Sequence, residues 1–115
     1  MKIGFTGSRS LKKANEELLK EFDKLASWDI VIHGDAIGAD QLIKEYAESN
    51  HIEQKIIRPI NPSNKLDYLY RNVEIISLCD ILIAYWDGKS RGTKFTIDYA
   101  KAREKKVIVV LYKNG

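Results

Sequence analysis

A single cysteine in 115 residues, Cys79, excludes an intramolecular disulfide and a cysteine-rich zinc site. Its surroundings, Ile75-Ile76-Ser77-Leu78-Cys79-Asp80, are apolar and point to a buried, inert thiol rather than a nucleophile. No apolar run approaches the length of a membrane span, and the N-terminus reads as a strand rather than a signal peptide. A cytoplasmic location without membrane association is therefore expected. Internal repeats, low-complexity tracts and linkers are also missing, which leaves one domain spanning residues 1–115. The net charge of +3 lacks the clustered basic face of a duplex binder, so nucleic acid is not the expected partner.

What is present is ordinary in amount and unusual in arrangement. A hydrophobic fraction of 44% with 30% charged residues suits a globular chain long enough to bury a core. Apolar runs predict strands at Lys2–Thr6, Asp29–His33, Lys55–Arg58, Asp80–Trp86 and Val107–Tyr112. The run Asp80–Trp86 is the most apolar and is expected to be central. Between them, 3.6-residue periodicity predicts helices over Leu11–Ala26, Ala39–Asn50, about 64–78 and Thr93–Glu104. Ser10 is the expected N-cap of the first helix, and Asn64 with Asp67 forms a capping-box variant for the third. Leu66, Leu69, Val73 and Ile76 form the third helix's apolar stripe, with Tyr70 and Arg71 off it. Strands alternating with helices predict a Rossmann-like, doubly wound, mostly parallel five-stranded sheet covered on both faces.

Glycines and small polar residues gather where predicted strands end. Three turns carry them: Thr6–Arg9, His33–Gly38 and Trp86–Thr93. In open α/β sheets the strand carboxyl ends face one crevice, and ligands bind there. Glycine admits close backbone approach, and a helix N-terminus favours an anion. The second turn has Gly34 and Gly38 four residues apart with the small Ala36 between them, as a backbone-lined anion nest requires. It has neither the three-glycine dinucleotide fingerprint nor a P-loop Lys-Ser/Thr. Asp40 reads as a capping carboxylate or as an acceptor for a ribose hydroxyl. His33 reads as a hydrogen-bonded structural histidine, because no serine or carboxylate pairs with it. Around Gly88 and Gly92 the third turn gathers Asp87, Lys89, Ser90, Arg91 and Thr93 and feeds directly into a helix. Tyr85 and Trp86 precede it; side chains alternate along a strand, so only one of them can face outward to stack on a base.

These motifs, over nearly the whole chain, resemble the SLOG superfamily, which unites DNA-processing Smf proteins with LONELY GUY phosphoribohydrolases. The small stand-alone YspA-like branch is similar in its opening Thr-Gly-Ser-Arg, here Thr6–Arg9. It is similar also in a His-Gly-x-Ala-x-Gly-Ala-Asp loop, here His33–Asp40, and in Trp-Asp-Gly-x-Ser-x-Gly-Thr, here Trp86–Thr93. Arg71 stands in register with a helix arginine of the enzymatic branch, and Gly92-Thr93 with its Gly-Thr pair. That branch's Pro-Gly-Gly turn is replaced here by Trp86–Arg91, and its catalytic glutamate by Thr96. A threonine cannot serve as a general base or stabilise an oxocarbenium ion.

The resemblance thus implies binding without that hydrolysis. The expected ligand is a nucleotide or an ADP-ribose-like derivative, which the protein senses, carries or sequesters without any cofactor or metal. Gly7, Ser8, Gly34, Gly38, Gly92 and Thr93 are expected to donate to phosphate, Arg9 and Arg71 to add charge, and Asp87 or Asp40 to accept from ribose. Ala36, Gly88 and Ser90 complete the expected site. The competing reading is an N-glycosidic-bond hydrolase with Asp87 and Arg71 as catalytic candidates; a DNA- or RNA-handling role is a further one. A homodimer is expected from the resemblance.

Overall fold

The computed structural model describes residues 1–113. The chain runs β1 (Lys2–Gly7), α1 (Glu16–Asp23), β2 (Ile30–His33), α2 (Ala39–Ser49), β3 (Glu53–Ile56), α3 (Lys65–Leu78), β4 (Ile81–Trp86), α4 (Arg91–Ala102) and β5 (Lys106–Leu111). All strand pairs are parallel, in the order β3-β2-β1-β4-β5. Chain order thus climbs outward from β1 to β3, returns through α3 to β4, and climbs outward again to β5. Winding reverses between β1 and β4, which makes their carboxyl ends the switch-point crevice.

Two apolar layers hold the sheet. On one face Leu18 and Phe22 of α1 and Ile43 and Ala47 of α2 pack on Phe5, Val31, Ile83 and Tyr85. On the other, Ile75 and Ile76 of α3 and Ala100 of α4 pack on Ile32 and Leu82, with Cys79 among them. Burial pushes the Cys79 thiol above its ordinary range, as expected of an inert one. No helix among the described residues is long and apolar enough to cross a membrane.

Several boundaries move for identifiable reasons. The first helix begins at Glu16, capped by Asn15, whose side chain accepts from the Leu18 N–H; Ser10 is not the cap. Asp87 takes the Ser10 hydroxyl instead, at 2.9 Å. Residues 11–15 stay outside the helix because the buried Tyr85 hydroxyl donates to Lys13 O and accepts from Asn15 N. The third strand, expected at Lys55–Arg58, runs two residues earlier, because Ile56 is the one apolar residue of this edge strand and the run that follows it lies outside the sheet. In α3 the stripe is rotated: Leu66 is exposed, whereas Arg71, Ile75 and Ile76 are buried. Asn64 does cap α3, but Asp67 accepts from Asn61 N and leaves the capping box half made. The strand expected to be central, β4, lies beside the middle strand, which is β1.

Candidate functional site

Strands β1, β2 and β4 end side by side, so the turns after them meet. Ser8 ties them together from a fully buried position. Its N–H donates to Tyr85 O, and its carbonyl accepts from Leu11 N and Ala39 N. Its hydroxyl accepts from Asp87 N at 3.2 Å and lies 3.5 Å from Thr93 Oγ1. Ser8 is thus a joint between loops, and its expected role as a phosphate donor is not supported. Gly38 has φ +87°, and a Cβ there would fall 2.3 Å from Arg9 O, so this glycine lets the second turn lie against the first.

The second turn is closed by its own carboxylate, not left open as an anion nest. Asp40 Oδ2 accepts from Gly34 N at 3.2 Å and Ala36 N at 3.1 Å. Gly34 carries no side chain because the Arg71 guanidinium lies there: a Cβ would sit 1.8 Å from Nη1. Arg71 Nη1 donates to Gly34 O and Ile57 O, and Nε donates to Asn72. Gly34 and Gly38 therefore make room for Arg71 and for the Arg9 backbone. Burial pushes the Asp40 carboxyl above its ordinary value, opposed by the Ala36 N–H and by His33 and Arg71. Asp40 Oδ1 is buried and has no partner. At the tip of this turn Asp35 pairs with Lys44 and Arg58.

In the third turn Asp87 is the organiser. Oδ1 accepts from Lys89 N and Ser90 N, both at 2.8 Å, while Oδ2 accepts from Ser10 Oγ. Burial would raise its carboxyl; the N–H groups of Ser90 and Lys89 and the Ser10 and Ser8 hydroxyls outweigh that and hold it below 3.8. Gly88, at φ +82°, turns away on the far side of Asp87 near Leu111.

Between these turns and helices α3 and α4 lies a cleft of about 750 Å³. Its floor is Thr6, Gly7, Ala36 and Asp40; one wall is Lys65, Tyr68, Leu69, Arg71 and Asn72 of α3; the other runs from Ser90 to Thr93, then Phe95. Arg9, Ser10 and Asp87 border it as well. Of the expected site residues, Gly7, Arg9, Ala36, Asp40, Arg71, Asp87, Ser90, Gly92 and Thr93 meet here; Ser8, Gly34, Gly38 and Gly88 do not. The Arg9 and Arg71 guanidinium carbons lie 4.6 Å and 5.3 Å from the centroid of the Tyr68 ring.

The main source of open donors is the start of α4. Its N-cap, Ser90, makes no side-chain cap; its hydroxyl instead lies 3.2 Å from that of Thr93. The first intrahelical bond is Lys94 N to Ser90 O, so helix geometry gives Arg91, Gly92 and Thr93 N–H groups no partner within α4. A Cβ at Gly92 would meet nothing within 4 Å. This terminus therefore stays accessible to an anion.

The expected site left out Thr6, Ser10, Lys65, Tyr68, Leu69, Asn72, Arg91 and Phe95, which also line the cleft. Lys65, Tyr68 or Leu69, and Asn72 recur at helical spacing, a second face that the apolar-stripe reading hid. Tyr70 is exposed and lines a different hollow. Neither aromatic of the third motif lines the cleft: Tyr85 is fully buried, and Trp86 donates its indole N–H to Ser90 O. His33 is fully buried, its Nε2 2.8 Å from Gln54 Oε1 and its Nδ1 accepting from Asp35 N, as a structural histidine would be. Thr96 lies on the buried face of α4, donating to Gly92 O and accepting from Asn72.

A larger hollow, of about 890 Å³, lies beyond the Ser10–Asp87 bridge and is ringed by Lys12, Lys13, Lys89 and Lys113. It has no open helix terminus, so the smaller cleft at the switch point is the better candidate. No cluster of three or more His, Cys, Asp or Glu side chains among the described residues is placed to hold a metal ion. No protein-family model, curated protein or solved structure matches the chain.

Proposed function

We propose that the chain is a nucleotide-binding module of SLOG type that senses, carries or sequesters a nucleotide or an ADP-ribose-like ligand. The observation that carries this reading is the uncapped start of α4 opening onto a cleft at the β1/β4 switch point. Phosphate sits against the N–H groups of Arg91, Gly92 and Thr93, and Arg9 and Arg91, which line the same cleft, add charge. Tyr68, Leu69 and Phe95 offer ring and aliphatic surface to a base. At about 750 Å³ the cleft falls within the usual range for small-molecule sites, roughly 300–1,000 Å³.

The geometry favours binding over N-glycosidic hydrolysis. Both Asp87 oxygens hold the loop together, and its depressed pKa makes it a weak base. Arg71 is engaged with backbone carbonyls. The test is native mass spectrometry of freshly purified protein, before and after denaturation, followed by calorimetric titration with AMP, ADP and ADP-ribose. A co-purified nucleotide or a saturable isotherm is expected, and the same spectra should show a homodimer. Absence of any bound species, with flat isotherms at millimolar nucleotide, would refute the reading.

A further inference from the structure

One buried atom of a residue that lines the cleft is left without the partner its chemistry requires. Asp40 is only 6% exposed, and its Oδ2 holds the second turn through Gly34 N and Ala36 N. Oδ1 is equally buried and accepts nothing from the protein. Buried polar atoms are almost always hydrogen-bonded, and an unsatisfied carboxylate oxygen is among the costliest exceptions. Asp40 belongs to the cleft floor beside Gly7 and Ala36, and the open start of α4 lines the same cleft.

The two features ask for different chemistry. The helix terminus takes an anion, whereas a carboxylate repels phosphate oxygens and accepts only from a donor. A phosphorylated sugar satisfies both, through its phosphate and through a free hydroxyl. We infer that Asp40 Oδ1 accepts a hydrogen bond from one ribose hydroxyl, so that the cleft selects nucleotides carrying that hydroxyl over those lacking it. This rests on the nucleotide-binding reading above and adds a selectivity to it.

The experiment is calorimetric titration of the full chain with AMP, 2′-deoxy-AMP, 3′-deoxy-AMP and IMP, using the wild type and Asp40→Asn. In the wild type, removing one of the two hydroxyls should weaken binding about 10- to 100-fold, the usual worth of a hydrogen bond to a charged group. In Asp40→Asn the amide oxygen keeps the Gly34 and Ala36 N–H bonds, but the NH₂ cannot accept. The NH₂ can donate to the hydroxyl oxygen, but that bond is uncharged, so the deoxy penalty should shrink to a few-fold. If this variant fails to fold, the wild-type series decides alone. Equal binding of AMP and both deoxy analogues would overturn the inference and leave nucleotide binding intact. Equal binding of those three with a loss for IMP would assign the oxygen to the base amino group and overturn it too. Failure of every nucleotide to bind would refute the nucleotide reading and the inference together.

Discussion

Gly92 and Gly38 carry the same expectation in the sequence, yet valine should act on them in opposite ways. At Gly92 an added Cβ meets no atom within 4 Å, and the residue already lies in α4. Valine is a better helix former than glycine by a few tenths of a kcal/mol, so Gly92→Val should leave stability within about 0.5 kcal/mol of wild type. Its side chain would nevertheless stand where an anion must approach the first-turn N–H groups, and nucleotide affinity should fall at least about tenfold, ~1.4 kcal/mol. Gly38 has φ +87° and ψ −128°, a region open essentially to glycine alone, which costs another residue about 1–3 kcal/mol. Its Cβ would also lie 2.3 Å from Arg9 O and 2.5 Å from Arg9 C, so backbone must shift, at roughly another 1–3 kcal/mol. Against a total stability of roughly 6–17 kcal/mol for a chain of this length, that is a large fraction. Urea unfolding should therefore show a wild-type-like midpoint for Gly92→Val and a midpoint about 1 M lower or more for Gly38→Val. Titration with ADP-ribose completes the comparison. Undiminished binding by Gly92→Val would remove the anion from the start of α4, and an unchanged midpoint for Gly38→Val would show that the first two turns do not touch.

Three further outcomes are expected. Tyr85→Phe deletes a buried hydroxyl that serves both Lys13 O and Asn15 N and should cost about 1–3 kcal/mol in urea unfolding, with no effect if residues 11–15 are held by other means. Asp87 has a folded pKa below its unfolded value of 3.8, so its ionised form contributes stability that is fully present above pH ~4 and lost as pH falls through the depressed folded pKa. Asp87→Asn should therefore destabilise the protein at pH 7 and converge with wild type in acid; a constant difference across that range would contradict the assignment. Incubation with a panel of nucleoside monophosphates should release no free base above buffer, and Thr96→Glu should destabilise rather than confer activity, since it puts a carboxylate in a fully buried position. Robust wild-type turnover abolished by Asp87→Asn would establish the enzyme instead.

Periodicity carried the fold well, because strands buried on both faces and amphipathic helices leave strong local signals. It failed where a distant atom decides a local outcome. Nothing near Ser10 reveals that a carboxylate 77 residues away takes its hydroxyl, or that the Tyr85 hydroxyl keeps residues 11–15 out of the helix. The clustering of glycines at strand ends pointed to the edge of the sheet where the switch-point cleft lies. It did not separate a glycine with open space beside it, Gly92, from those that admit other parts of the protein, Gly34 and Gly38. That distinction lies in what occupies the space a Cβ would fill. The α3 wall stayed hidden for another reason: Arg71 is buried by hydrogen bonds to carbonyls, and its burial turns Tyr68 and Asn72 toward the site instead of the apolar stripe.

The strand order has a consequence for when the site comes into being. The middle strand, β1, is synthesised first, yet its neighbour β4 arrives some eighty residues later; Lys2 N donates to Asp80 Oδ2 across 78 positions. Closing so long a loop is slow compared with local helix formation. Until β4 docks, Ser8 has no Tyr85 carbonyl and the start of α4 has no β1 to face, so neither half of the chain holds a binding site by itself. A nucleotide can therefore neither template early folding nor rescue a fragment. On the proposed reading it binds only the finished protein, and its whole effect on unfolding should follow mass action, RT ln(1 + [L]/Kd).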